Sequence, residues 1–300
     1  MTATTAASAA YIVAGLLFIL SLAGLSKHTT ARRGVVSGIL GICLPIASVS
    51  GTFVVQIFTG NQVAMFLAPC AIGGLFILLF AVTLQDRRLP RAGKPHWSLR
   101  ELAGTFYVSP RESPDFAWAF ASRFLFVLAY AFLTTYQAYY LLDKIGSAEA
   151  AVPRQIFVGT LVQGSLVVAA SLLGGRLSDR TGRRKVFVFT ASVVYALGLF
   201  VLAIASDFSG FLVGMAVGGL GFGMYTAVDL ALVVDVLPGT ENAKDLGVLN
   251  VAGALPYSVA PALAPVVLAI GNGSYGVLYA VAGISALGAA VAILPVRRVR

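Results

Sequence analysis

Charged side chains are what this sequence has least of: they make up 11% of it, while 58% is hydrophobic. Soluble domains carry roughly a quarter charged residues. A chain this apolar has too little polar surface to cover itself in water, so it reads as an integral membrane protein. Cysteine is nearly absent. Cys43 and Cys70 each fall inside an apolar run, which excludes a disulfide framework. His28 and His96 stand alone in polar stretches, so no metal site can be assembled from them. A P-loop, a zinc spacing and a nucleophile elbow are all missing, so no cofactor and no enzymatic role are expected. ATP-driven work would need a partner chain. Taken alone, the formal charge of +9 would suit nucleic acid. The cations, however, sit in short stretches between apolar runs, which makes the lipid bilayer the partner and not nucleic acid.

What the sequence has in abundance is long apolar runs. Nine approach the roughly 20 residues a bilayer requires: 9–25, 35–58, 64–84, 116–142, 155–175, 186–206, 209–236, 247–270 and 275–296. Lipid offers no partner for an unpaired backbone group, so each should be helical. The expected fold class is therefore all-α, a polytopic membrane protein of about nine transmembrane helices. Glycine and proline punctuate several runs. Pro256, Pro261 and Pro265 fall in the eighth. Gly210, Gly214 and Gly218, with Gly219 and Gly223, form overlapping GxxxG steps in the seventh and predict close helix contact. Gly219-x-Gly221-x-Gly223 has no preceding strand, so it is no nucleotide-binding turn.

Loop charge sets the orientation. If the basic stretch 174–185 is cytoplasmic, the inside set also holds 26–34, 85–115, 237–246 and 297–300. It then carries 18 of the 21 Lys and Arg residues, against Lys144 and Arg154 outside. Loops rich in Lys and Arg resist translocation, which places the amino terminus outside and the carboxyl terminus in the cytoplasm.

That basic stretch reads GGRLSDRTGRRK and is expected to be a short turn between two helices. Its pattern is Gly175-x-x-x-Asp179-Arg180-x-Gly182-Arg183-Arg184. Gly175 suits close helix approach and Asp179 can face an Arg or a helix dipole. Gly182 permits a tight turn, and the cations bind the anionic leaflet. The pattern resembles the gating-loop signature of the major facilitator superfamily of secondary transporters, and from residue 34 onward the chain resembles that family. Mapped onto its plan of twelve helices, 35–84 looks like the fifth and sixth helices, a remnant of the amino-terminal bundle. Residues 85–115 look like the central cytoplasmic linker, and 116–300 like a complete carboxyl-terminal six-helix bundle. The resemblance implies transport of a small solute across the plasma (inner) membrane, with a proton as the coupling ion if Asp229 titrates. A membrane subunit or non-transporting remnant is the alternative.

Residues 1–34 stand apart as an extra transmembrane helix. The stretch 9–34, AAYIVAGLLFILSLAGLSKHTTARRG, resembles the start of the membrane-embedded beta subunit of nicotinamide nucleotide transhydrogenase. It implies either a fusion near 31–34 or a likeness confined to one apolar helix, and it adds a transhydrogenase-related membrane component as a further alternative function. In the linker, Ser98-x-x-Glu101 is a capping box between Trp97 and Leu102. Leu99, Leu102, Ala103 and Phe106 share one helical face, predicting a short surface helix over 98–107.

Two charges fall deep inside apolar runs, Arg123 and Asp229. Charges at that depth are costly and are candidate functional groups. Each lies about seven residues from the inner end of its span, roughly 10 Å deep, so they are expected to meet across a cavity. The family mapping makes theirs the seventh and tenth helices, which line the central cavity. Tyr130, Thr134 and Gln137 lie within about 40° of the direction of Arg123, forming a polar stripe on an apolar helix. Gln163 on the next span joins them as a cavity candidate. Tyr136, Tyr139 and Tyr140 read as an interfacial aromatic belt.

Overall fold

In the computed structural model the described residues are 39–58, 60–83, 111, 113–236 and 242–297. Every regular element among them is helical, the outcome that lipid imposes on a backbone with no water to bond. In chain order they are α1 (Ile39–Ile57), α2 (Gln62–Thr83), α3 (Pro114–Tyr139), α4 (Val152–Thr181), α5 (Arg184–Ile204), α6 (Phe208–Val236), α7 (Asn242–Ala254), α8 (Pro256–Ile270) and α9 (Tyr275–Ala292). A π-helical turn, Tyr140–Lys144, extends α3, and a 3-10 turn, Glu149–Ala151, leads into α4. The expected span 9–25, the transhydrogenase-like stretch and the surface helix at 98–107 lie outside the described residues.

The protein is an all-α polytopic membrane protein. Seven helical stretches among the described residues are long and apolar enough to cross a bilayer. α1 adds a shorter apolar segment, Pro45–Ile57, so the expected count of nine is not reached there. The expected run 247–270 is one of the seven, Gly247–Ile270, although a turn at Leu255 divides it into α7 and α8. Pro256 starts a new helix after a turn at Leu255, because its ring has no N–H to continue α7.

The stretch 174–185 is mostly not a turn. α4 continues as helix to Thr181, and reversal takes only Gly182 and Arg183. Gly182 has φ +65°, a left-handed cap, and its N–H donates to the Ser178 carbonyl at 2.8 Å. The basic side chains are thus divided between the end of one helix and the start of the next.

Glycine decides how the bundle closes. α6 packs against both α4 and α5, and its glycines face the two neighbours in turn. A Cβ on Gly219 would lie 2.6 Å from the Gln163 carbonyl of α4, and one on Gly223 would strike Val167. On the other face, Gly214 meets Leu202, and Gly218 abuts Gly198 of α5. Backbones approach this closely only where no side chain intervenes, and van der Waals contact is then the main association force in lipid. α9 uses alanine for the same purpose: Ala282, Ala286 and Ala289 are fully buried against α3 and α5. α1 seats on α4, with Phe53 and Phe157 ring centroids 5.4 Å apart. α2 packs on α1 and leaves Phe66, Leu67, Ile77 and Val82 exposed.

Candidate functional site

The order of the helices gives the bundle two ends. One carries the Gly182 turn. The other carries the π-turn, the α1–α2 connection and the start of α4. A cavity of about 540 Å³ lies toward the second end, between α1, α2, α3 and α4. The stripe on α3 forms one wall through Tyr130, Thr134 and Gln137. They stand four and then three residues apart, so they recur on one face at 3.6 residues per turn. α4 supplies Thr160 and Gln163 from the opposite wall, three apart on their own face, and α1 supplies Ser48 and Thr52. The rest is apolar, including Ala47, Val55, Met65 and Ile156.

Several hydroxyls on this wall are partly occupied by their own helices. Thr134 Oγ1 donates to the Tyr130 carbonyl at 3.1 Å and Thr52 Oγ1 to that of Ser48 at 3.0 Å. Gln163 is different. It is 9% exposed, and its buried Nε2 has no hydrogen-bond partner among the described residues.

Arg123 and Asp229 do not line this cavity. They form an ion pair nearer the Gly182 end, with Arg123 Nη1 3.1 Å from Asp229 Oδ2. The side chains are 21% and 11% exposed. Gly253 of α7 leaves room beside the guanidinium, since a Cβ there would lie 3.7 Å from its Nε. Pairing answers the cost of two charges in a low-dielectric interior, because each becomes the other's solvent. Between the pair and the cavity lies a layer of aromatic rings. Phe126 stacks on Tyr225 at 3.5 Å and Tyr130 on Phe222 at 4.4 Å, while Tyr257 meets Tyr130 edge-on at 6.4 Å. The six residues expected around one cavity therefore divide. Four line it, and Arg123 sits roughly 10 Å further along α3, counting seven residues from Tyr130, where Asp229 of α6 meets it.

The residues of the 174–185 motif have unequal surroundings. Gly175 faces Ala227, with ordinary contact distance available to a Cβ, whereas the preceding Gly174 lies tight against Met224. Asp179, Arg180 and Arg183 are exposed. Arg184 reaches across to α6, where Nη1 donates to the Ala231 carbonyl at 2.8 Å. Lys185 donates to the carbonyls of Leu294 and Val296, past the end of α9. Cations are favoured at such helix ends, where carbonyls lack partners.

The tyrosine cluster at the other end is only partly an interfacial belt. Tyr139 is exposed, but Tyr140 is fully buried. The Tyr140 hydroxyl donates to the Leu202 carbonyl at 2.9 Å, and Lys144 donates to the carbonyls of Leu202 and Ala203. Both cap the carboxyl end of α5. The π-turn, one residue wider than an α-turn, carries Tyr140 and Lys144 themselves. Tyr275 donates to Asp143 Oδ2 at 2.9 Å, tying α9 to the same turn. A lone tyrosine motif cannot reveal such roles. Ser48 and Thr52, at i and i+4 of an apolar helix, carried a signal that could have been read.

The polar-lined cavity, the paired charges and the glycine-packed helices occur with a match to known proteins. The family model of the Major Facilitator Superfamily matches residues 154–300. Over these residues the chain is similar to the major facilitator superfamily. Among curated relatives, "Multidrug resistance protein MdtL" of Klebsiella pneumoniae (strain 342) is 32% identical over 124 residues, 41% of this chain and 29% of that protein. The "Arabinose-proton symporter" of Bacillus subtilis (strain 168) is 32% identical over 85 residues, 27% of this chain and 18% of that protein. "Plastidic glucose transporter 4" of Arabidopsis thaliana is 32% identical over 111 residues, 37% and 20% respectively. The chain thus spans less than a third of these facilitator relatives. The transhydrogenase likeness of 9–34 is not borne out, since the match to known families falls on the facilitator half.

Proposed function

We propose that the chain takes part in moving a small solute across a membrane by the facilitator mechanism, in which one group of helices rocks against another around a central site. The observation that carries this is a cavity with polar side chains set in an otherwise apolar lining. A stripe of Tyr130, Thr134 and Gln137 would be wasted against lipid, and it faces Gln163 across about 540 Å³. Pockets of roughly 300–1,000 Å³ suit small ligands.

In this reading α1 and α2, within 35–84, belong to one moving unit. Residues 116–300 form the other, 85–115 link them at the cytoplasmic face, and 1–34 add a separate helix. The cavity opens away from the basic Gly182 turn. The aromatic layer and the Arg123–Asp229 pair close the opposite path. Asp229 is the coupling group: a proton arriving there neutralises the carboxylate, releases Arg123 and loosens the closure. Arg184 and Lys185 hold the cytoplasmic ends of α6 and α9 in the closed state. The membrane is the plasma (inner) membrane, with the basic turn on its cytoplasmic side. The role is transport, not catalysis.

Purified protein in lipid vesicles tests this. Arabinose, glucose and a hydrophobic dye, chosen from what the relatives' names say they carry, would be followed with and without a pH gradient. Flux of at least one above that of empty vesicles is expected, and Asp229→Asn should abolish its response to the gradient. Absence of flux for every solute would end the proposal.

A further inference from the structure

The cavity wall has a chemical bias that narrows what it can hold. Its polar groups are hydroxyls and amides: Ser48, Thr52, Tyr130, Thr134, Gln137 and Gln163. Among the described residues no Asp, Glu, Lys or Arg lines it. The charges on the same helices are committed or remote. Asp143 accepts from Tyr275, and Lys144 caps α5. Arg154 is exposed on the first turn of α4, and Arg123 is paired with Asp229 behind the aromatic layer. A charged solute entering here would leave water and meet no counter-ion, which is strongly unfavourable.

A second observation points to the same class. Gln163 borders the cavity with an amide donor buried and unpaired. A buried amide donor left without an acceptor is a standing cost to the protein. A ligand oxygen would remove that cost without bringing a charge. Apolar contacts from Val55, Met65 and Ile156 would cover the rest of the molecule. We infer that the cavity selects an uncharged solute carrying hydrogen-bond acceptor oxygens, with Gln163 as the donor that recognises one of them. The inference rests on the transport reading for its biological meaning, but its test does not need transport.

The test is chemical access to the wall. In protein with Cys43 and Cys70 replaced by Ala, Thr134→Cys places a thiol in the cavity. Gly60→Cys, in the exposed α1–α2 connection at the same end, serves as reference. Three methanethiosulfonates of similar size, neutral hydroxyethyl, anionic sulfonatoethyl and cationic trimethylammonioethyl, are compared by rate. Relative to Gly60→Cys, the neutral reagent should be favoured at Thr134→Cys by at least tenfold over both charged ones. Adding Thr52→Asp should shift the preference at least fivefold toward the cation, which shows that the lining sets the selection. Equal relative rates, a preference for either charged reagent at Thr134→Cys, or no shift with Thr52→Asp would overturn the inference. Failure of all three reagents at Thr134→Cys, while Gly60→Cys reacts, would overturn the open cavity itself. Selective labelling without any solute flux would leave the inference standing and remove the transport reading alone.

Discussion

Arg123 and Asp229 show how much one contact decides at the scale of a residue. Each alone would be an uncompensated charge in an apolar bundle, and at 3.1 Å each satisfies the other. Removing one partner should therefore cost more than the pair contributes. Arg123→Ala is expected to destabilise by about 3 kcal/mol, read as a lowered Tm in detergent. The exchange Arg123→Asp with Asp229→Arg should recover a large part of that loss. If the exchanged protein unfolds no later than the single variants, the pairing contributes nothing. Lys144 is a smaller case. Lys144→Met keeps the aliphatic bulk but frees the Leu202 and Ala203 carbonyls at the end of α5. A loss of about 1 kcal/mol is expected, again by thermal unfolding, and an unchanged Tm would show that water caps those carbonyls equally well.

At the scale of elements, close packing rests on particular glycines and not on every glycine in a motif. Gly223 of α6 has Val167 of α4 where its Cβ would go, whereas Gly175 of α4 has Ala227 at an ordinary 3.7 Å. Gly223→Ala must push two backbones apart and should destabilise by about 1–3 kcal/mol, as overpacking does. Gly175→Ala should be neutral or slightly stabilising, because alanine is the better helix former. Denaturant titration of both variants side by side checks this. A larger loss from Gly175→Ala than from Gly223→Ala would contradict the packing described. α5 is the element held at both ends: Lys185 in its first turn reaches past the end of α9, and Tyr140 and Lys144 bond its last carbonyls. Its position is therefore set by neighbours distant in sequence.

For the whole molecule the prediction concerns sidedness. With Cys43 and Cys70 replaced by Ala, Arg183→Cys should react with a membrane-impermeant maleimide only after cells are opened. Gly60→Cys should react in intact cells. Labelling of Arg183→Cys from outside would reverse the orientation and, with it, the side to which the cavity opens. The described helices divide into a bundle in which α4, α5, α6 and α9 interlock and a pair, α1 and α2, attached chiefly through α1. The α1–α4 contact is where relative movement of two units would have to occur, and the cavity lies along it.

Composition and patterning by themselves settled the class. Sparse charge and long apolar runs leave a chain no stable option but membrane-spanning helices, since lipid cannot satisfy an open backbone. The glycine periodicity of α6 likewise announced close contact, because small residues at that spacing have few other uses. The polar stripe of Tyr130, Thr134 and Gln137 was legible because an apolar helix makes each exception visible. What only the tertiary structure decided was which exceptions meet. Arg123 lies on the same helix face as that stripe, yet Phe126, stacked on Tyr225 of α6, stands along α3 between it and the cavity-lining Tyr130. The burial of Tyr140 and the continuation of α4 through most of 174–185 also depended on distant partners. A one-dimensional pattern gives the direction and depth of a side chain along its own helix. The identity of whatever faces it is set by how separate helices pack, and packing couples residues whose spacing in the chain carries no signal.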